Sequence, residues 1–211
     1  MMSGNDRSGL APYKYFILAL SLVLVDQATK LAVKGFSLFG IRHEGMYLGE
    51  SHPLIGDAIR LTYVENPGMA FGISFGAGKI VLTLVTIVIA SVLVWYLWKL
   101  RPFHRGVQFA VSLVLAGAVG NLIDRMFYGV FYGEEALFYG KVVDFVQVDI
   151  PDLNWLGELY THFPVFNVAD SCVSVGIVLL ILLSRHMPTG AQLRSGSLQS
   201  TDENHDVSPE S

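Results

Sequence analysis

Charge is scarce in this sequence. Of 211 residues only 15% are Asp, Glu, Lys or Arg, well below the roughly one quarter usual for soluble domains. The 14 basic residues are scattered rather than clustered, so nucleic acid is not expected as a partner. Cysteine occurs once, as Cys172. No intramolecular disulfide is possible, and the fold does not rely on an oxidising compartment. The histidines lack metal-ligand spacing: His43-Glu44 opens like a zinc motif, but Tyr47 stands where the second histidine would be. No small-residue cleavage site follows the first apolar run, so that run reads as an uncleaved span.

Apolar sequence is plentiful. Hydrophobic residues make up 52% of the chain, and the mean hydropathy is +0.49. Several long apolar runs predict a mainly α membrane protein of one compact domain, with four transmembrane helices and a small extramembrane β-rich module. The expected division is a polar cytoplasmic N-terminus over 1–12, a membrane domain over 13–186 and a disordered cytoplasmic tail over 187–211. The spans fall at about 15–34, 80–98, 107–126 and 165–185, with extramembrane segments at about 36–78 and 127–163. Ile80 to Trp98 carries no charge and spans roughly 28 Å as a helix. Trp95, Tyr96 and Trp98 end it as interfacial aromatics do. Arg60–Val64 and Val142–Ile150 read as strands, the second placing Asp144 on a face with Val142, Val146, Val148 and Ile150.

Orientation follows from the basic residues. With four spans, Arg7, Lys14, Lys99, Arg101, Arg105, Arg185 and Arg194 share one side, which predicts cytoplasmic termini. Asp26, Asn66, Asn121, Asp124, Asp144 and Asp170 then gather near the outer leaflet.

Acids so close to hydrocarbon cost a few kcal/mol, and their default reading is functional. Asp26 and Lys30 stand four apart on one helix face, and Asp124 adjoins Arg125; both acids read as members of structural ion pairs. Asp170 has no basic neighbour within a helical turn, and Asp144 lies on an otherwise aliphatic strand face. Asp170 is expected about two turns inside a helix that starts after Pro164, sharing a polar stripe with Asn167, Ser171 and Ser174. Two carboxyls held together cannot both ionise easily: one keeps its proton while the other acts as base. A water between them can be deprotonated by one while the other protonates the carbonyl under attack. The alternative is a proton-coupled membrane transporter with the same acids as a relay. Such a protein would show internal repeats or broken helices near the midplane; no repeat is evident, and the acids lie at one end of the spans. Gly72-Ile-Ser74-Phe-Gly76 matches a serine-hydrolase elbow in form, but no histidine has a place beside Ser74.

Five short pieces carry a resemblance: Asp26-Gln-Ala-Thr-Lys30, Asn66-Pro-Gly-Met-Ala-Phe71, Gly120-Asn-Leu-Ile-Asp-Arg125, Val143-Asp-Phe145 and Phe166-Asn-Val-Ala-Asp170. In that order, over about Val25 to Leu183, the chain resembles the lipoprotein signal peptidases (signal peptidase II). The resemblance implies an aspartyl endopeptidase of the bacterial inner membrane. It would act among membrane lipids on prolipoproteins bearing a diacylglyceryl cysteine, cutting just before that cysteine; nothing in the sequence requires more than a monomer. Asp144 and Asp170 would be the catalytic pair, and Asp26, Lys30, Asn66, Gly68, Asn121, Asp124, Arg125 and Asn167 the supporting or substrate-binding residues. Neither metal nor organic cofactor is implied. Ala116 stands where the family often has glycine, and the segments on either side of Asp144 are longer than its usual pattern.

Overall fold

The computed structural model describes residues 13–56, 58–68, 78–155 and 158–195. Three helices are long and apolar enough to cross a membrane: α1 (Lys14–Lys34), α2 (Gly78–Lys99) and the helix running from Arg105 to Phe131. The last consists of α3 (Arg105–Ile123), a π-helical turn (Asp124–Tyr128) and the short turn α4 (Gly129–Phe131). A fourth apolar helix, α5 (Val168–Leu182), has 15 residues, a rise of about 22 Å. The architecture is mainly α, with three candidate membrane spans, a shorter apolar helix and a small β module.

The helix from Arg105 is the centre of the bundle: 61% of its span is buried, against 17% for α2. Leu97, Leu100, Phe103, Val107, Val111 and Leu115 form one core with Ala19 and Val23. The rest of α2 turns Val81, Val85, Val88 and Val92 outward, as a lipid-facing surface requires. Glycine lets α3 and α5 meet at backbone level. A Cβ on Gly117 would fall onto the Ala169 carbonyl and 2.5 Å from Val173 Cγ2, and one on Gly176 would lie 2.6 Å from Val114 Cγ2.

The β module joins the two extramembrane segments. β1 (Gly35–Leu38) and β2 (Ile41–Glu44) form a hairpin, and β3 (Ser51–Ile55), β4 (Ile59–Asn66), β5 (Val142–Trp155) and β6 (Glu158–His162) form an antiparallel sheet in that order. Across β4 and β5, Val64 faces Asp144 and Asn66 faces Val142. Val33, Tyr63, Tyr128, Val143 and Phe145 pack beneath the sheet. The start of β5 is therefore buried on both faces, and the alternation expected for it emerges only toward exposed Asp149. A charged cluster ties β4 to the end of α1. Glu65 accepts hydrogen bonds from Lys34, from Tyr63 at 2.7 Å and from Lys141 at 2.9 Å. Burial pushes the Glu65 carboxyl up, but these donors outweigh it and bring its pKa down to about 2.

The fourth helix begins later than its hydropathy suggests, so Asp170 lies in its first turn rather than two turns inside. The residues before it are drawn to the sheet: Phe163 N donates to Val148 O at 2.8 Å, and Phe166 and Val146 exchange backbone bonds at 2.7 and 3.0 Å. Asn167 then caps the helix. Ser171 Oγ bonds back to Asn167 O, whereas Ser174 is exposed and outside the polar stripe expected for it. Within the tail expected to be disordered, Gly190–Ser195 forms a short helix, α6. The N-terminal 1–12, the far tail 196–211 and the Gly72–Gly76 match all lie outside the described residues, as does the end of the Asn66–Phe71 piece.

Replacing Gly117 by Ala sets a methyl against backbone that cannot move aside. It is expected to destabilise the protein by about 1–3 kcal/mol, read as a lower Tm in detergent. Gly190→Ala, at a position with open space around it, is expected to leave the Tm unchanged.

Candidate active site

The site is built around a buried lysine. Lys30, fully buried on α1, points its Nζ at Asp26 Oδ2 (2.9 Å), Asp124 Oδ2 (2.7 Å) and Asn121 Oδ1 (2.9 Å). Its three N–H donors thus have three acceptors, the condition for burying an ammonium. Gln27 fills in around the acids, donating to Asp124 Oδ1 at 2.9 Å and Asp26 Oδ2 at 3.1 Å while its own carbonyl accepts from Tyr128 OH. Gly120 makes room: a Cβ there would lie 2.6 Å from Asp26 Oδ2.

Each acid of this network also grips a neighbouring element. Asp26 Oδ1 accepts from Ala169 N at 2.9 Å, fixing the start of α5. Asp124 Oδ2 accepts from Val143 N at 3.2 Å, fixing the start of β5. Those two elements carry Asp170 and Asp144, one residue beyond each anchored amide.

Two asparagines finish the arrangement. Asn121 receives Lys30 on its oxygen, which turns its Nδ2 toward Asp170 Oδ1 at 2.7 Å. Asn167 donates from Nδ2 to Asp144 Oδ1 at 2.6 Å, with Asn121 Oδ1 and Val143 O at 3.2 and 3.3 Å. It also forms a capping box with Asp170, accepting from Asp170 N at 2.8 Å while Asp170 Oδ2 accepts from Asn167 N at 3.2 Å. Asp170 therefore accepts donors at both oxygens, a pattern suited to a carboxylate. Asp144 has its side-chain bond at Oδ1. The residue is 3% exposed, and burial first, then the Asp170 charge, push its pKa up to about 7. Asn66, Asn167 and Lys30 act in the opposite direction. One acid dressed for a negative charge and a second pushed to hold its proton are what acid–base hydrolysis by a carboxyl pair needs.

Asp26, Lys30, Asn121, Asp124, Asn167, Asp144 and Asp170 thus share one connected network. Arg125 stands beside it without an ion pair among the described residues. The Asp124–Arg125 pairing expected from adjacency does not form, because neighbours in a helix point to different faces, and Asp124 is taken by Lys30 and Gln27 instead. Arg125 Nε is buried with no hydrogen-bond partner, and its charge is felt by Asp124, Asp170 and Asp144. Asn66 sits at the end of β4, its oxygen accepting from Gly68 N at 2.9 Å in an Asx turn. Gly68 adopts φ +83, a left-handed backbone that favours glycine. Gln27 and Tyr128 were not singled out by sequence. Gln27 lies inside a quoted motif, but a neutral amide next to an acid gives no signal of its own; Tyr128 reads as an ordinary interfacial aromatic.

The profile of the family described as signal peptidase (SPase) II matches residues 18–185. The lipoprotein signal peptidase of Amoebophilus asiaticus is 36% identical over 191 residues, covering 82% of this chain and 78% of the relative. That of Porphyromonas gingivalis is 37% identical over 191 residues, covering 78% and 80%. That of Halalkalibacterium halodurans is 38% identical over 168 residues, covering 80% and 89%. Two bacterial membrane enzymes solved by the in meso method, at 1.9 and 2.3 Å, align with TM-scores of 0.57 and 0.58 at 31% and 29% identity. These alignments cover 81% and 91% of this chain and 92% and 94% of the solved ones.

Lys30→Met leaves Asp26 and Asp124 buried without their cation. It is expected to destabilise the protein by about 3–5 kcal/mol in thermal unfolding. Adding Asp124→Asn to that variant should recover part of the loss, since one of the stranded charges is then gone.

Proposed function

The chain belongs to the signal peptidase II family, membrane-embedded peptide hydrolases of the aspartic class, and we propose that it cleaves diacylglyceryl-modified prolipoproteins with Asp144 and Asp170 as its catalytic pair. The observation that carries this reading is the asymmetry of the two carboxyls: Asp170 accepts hydrogen bonds at both oxygens, while Asp144 is buried and raised to about 7.

In the proposed reaction a water lies between the acids. Asp170 takes a proton from it as the water oxygen attacks the scissile carbonyl carbon. Protonated Asp144 donates to the carbonyl oxygen, giving a neutral tetrahedral diol. The diol collapses as Asp170 returns its proton to the leaving nitrogen and Asp144 recovers its own, and the C–N bond breaks. The products are a signal peptide ending in a carboxylate and a lipoprotein starting at the lipidated cysteine. Cleavage before that cysteine fits a site at the membrane edge, where acyl chains stay in hydrocarbon while the peptide reaches the acids. Arg125, charged and without a hydrogen bond on Nε, is suited to hold a substrate main-chain carbonyl. The Asn66–Gly68 turn is suited to line the peptide path. Lys30, Asp26, Asp124, Asn121 and Asn167 act through the acids as positioning residues.

The apolar helices and the family make this a bacterial membrane enzyme. The distribution of Lys and Arg supports the inner membrane, cytoplasmic termini and a catalytic pair near the periplasmic face. One chain supplies every residue of the site, in keeping with a monomer.

Asp144→Asn and Asp170→Asn, assayed on a diacylglyceryl-modified prolipoprotein in liposomes, are each expected to lower kcat by about 10³-fold or more with Tm retained. Wild-type-like cleavage by either variant would falsify the pair. Because Asp144 must hold a proton, kcat/KM should fall as the pH rises through about 7. A profile flat from pH 6 to 9 would remove Asp144 as the acid.

A further inference from the structure

The end of the bundle opposite the acids is basic throughout. Lys14, Lys99, Arg101, Arg105 and Arg185 lie there, and no Asp or Glu does among the described residues. Lys14 and Arg101 lean on aromatic rings, Arg101 at 3.3 Å from the centre of Trp98. Arg105 and Arg185 make no ion pair with the described residues. They line an open cavity of about 480 Å³ between the α2–α3 turn and the chain leaving α5.

His104 and His186 line the same cavity, their rings tilted by 32° with centroids 4.4 Å apart. His104 Nδ1 accepts from Gly106 N at 3.2 Å, so a neutral His104 carries its proton on Nε2 and presents a donor. Two guanidinium groups and two imidazoles thus converge without an acid between them. Phe103 and Met187 supply an apolar wall. The floor is held in place, because Leu183 and Leu193 both pack on the main hydrophobic core. Gly106 permits the close approach: a Cβ there would lie 3.0 Å from Leu183 Cδ1.

A concave, donor-rich, acid-free site at the level where spans end suits a phosphodiester with acyl chains attached. We infer that the cavity formed by His104, Arg105, Arg185 and His186 binds the headgroup of an anionic phospholipid such as phosphatidylglycerol. The guanidinium groups pair with the phosphate oxygens, and the glycerol and first methylenes lie on Phe103 and Met187. The occupant is a bilayer lipid rather than free phosphate because the cavity opens at the membrane surface and is part apolar. The orientation proposed above enters only in assigning that lipid to the cytoplasmic leaflet; the cavity lies at the end of the spans away from Asp144 and Asp170, so loss of lipid binding and loss of peptidase activity are separable.

The test uses the full chain in dodecylmaltoside, with lipid retention read by native mass spectrometry and stability by Tm. Dioleoylphosphatidylglycerol is expected to be retained and to raise Tm by about 4 °C or more, with dioleoylphosphatidylcholine and inorganic phosphate giving little. Arg105→Gln/Arg185→Gln should lose the response and at least tenfold of the retention while cleaving prolipoprotein in detergent as the wild type does. Lys99→Gln/Arg101→Gln removes the same charge outside the cavity and should keep both. Equal responses to the two lipids, an equal response to phosphate, or equal loss in both double variants would overturn the site. So would a response that appears only after Asp202, Glu203, Asp206 and Glu210 are neutralised, which would make the tail the occupant.

Discussion

Everything near the proposed reaction centre depends on one buried ammonium. Lys30 is enclosed by Asp26, Asp124 and Asn121 at 2.7–2.9 Å. A lysine so placed is stable only with all three donors satisfied, and a carboxylate so placed only with donors of its own. The surplus acceptor capacity of the two acids goes to backbone amides, Ala169 N for Asp26 and Val143 N for Asp124. A charge cluster that looks structural thereby fixes the two elements bearing the proposed catalytic acids. The same lysine fixes which way Asn121 points its amide, and through it one oxygen of Asp170.

The sheet has an equally direct part. β5 pairs with β4 on one side and reaches Phe166 on the other, which halts the strand-like approach to α5 and leaves Asn167 as its cap. A cap residue holds a fixed side-chain direction, because its oxygen is committed to the first turn. The amide of Asn167 is then free to serve Asp144. Capping, normally a matter of helix stability, here ties one asparagine to both carboxyls and gives them unequal environments. The π-helical turn at Asp124–Tyr128 belongs to the same design. It gives the helix an irregular turn where it leaves the bundle, with Asp124 turned to Lys30 and Arg125 Nε left without a hydrogen bond. Such turns are common at functional sites.

The two ends of the molecule divide the electrostatic work. At the sheet end, acids and lysines neutralise one another inside the protein, and Glu65 is held ionised by three donors. At the other end, arginines and histidines face outward with no acid among the described residues. A bilayer with anionic lipid on its cytoplasmic face would favour that arrangement, so one asymmetry of charge underlies both the proposed orientation and the proposed lipid site.

Much of this was legible in the linear chain, and the boundary has a physical cause. Spanning segments follow from local hydropathy, because the cost of exposing backbone and charge to hydrocarbon is paid residue by residue. The Asp26–Lys30 contact follows from helical spacing, and five short motifs in order were enough to suggest the family. Partnerships between distant residues were another matter. Asp124 adjoins Arg125 in sequence yet pairs with Lys30, 94 positions away, because helix geometry sends neighbours apart and packing brings strangers together. The late start of α5, the single sheet made from two segments and the unequal dress of Asp144 and Asp170 are likewise products of packing, since each depends on hydrogen bonds between elements that no periodicity encodes. Local hydropathy was enough to mark which stretches suit lipid and where polar residues interrupt them; which of those residues touch, and so which acid is pressed to keep its proton, came from packing between distant elements.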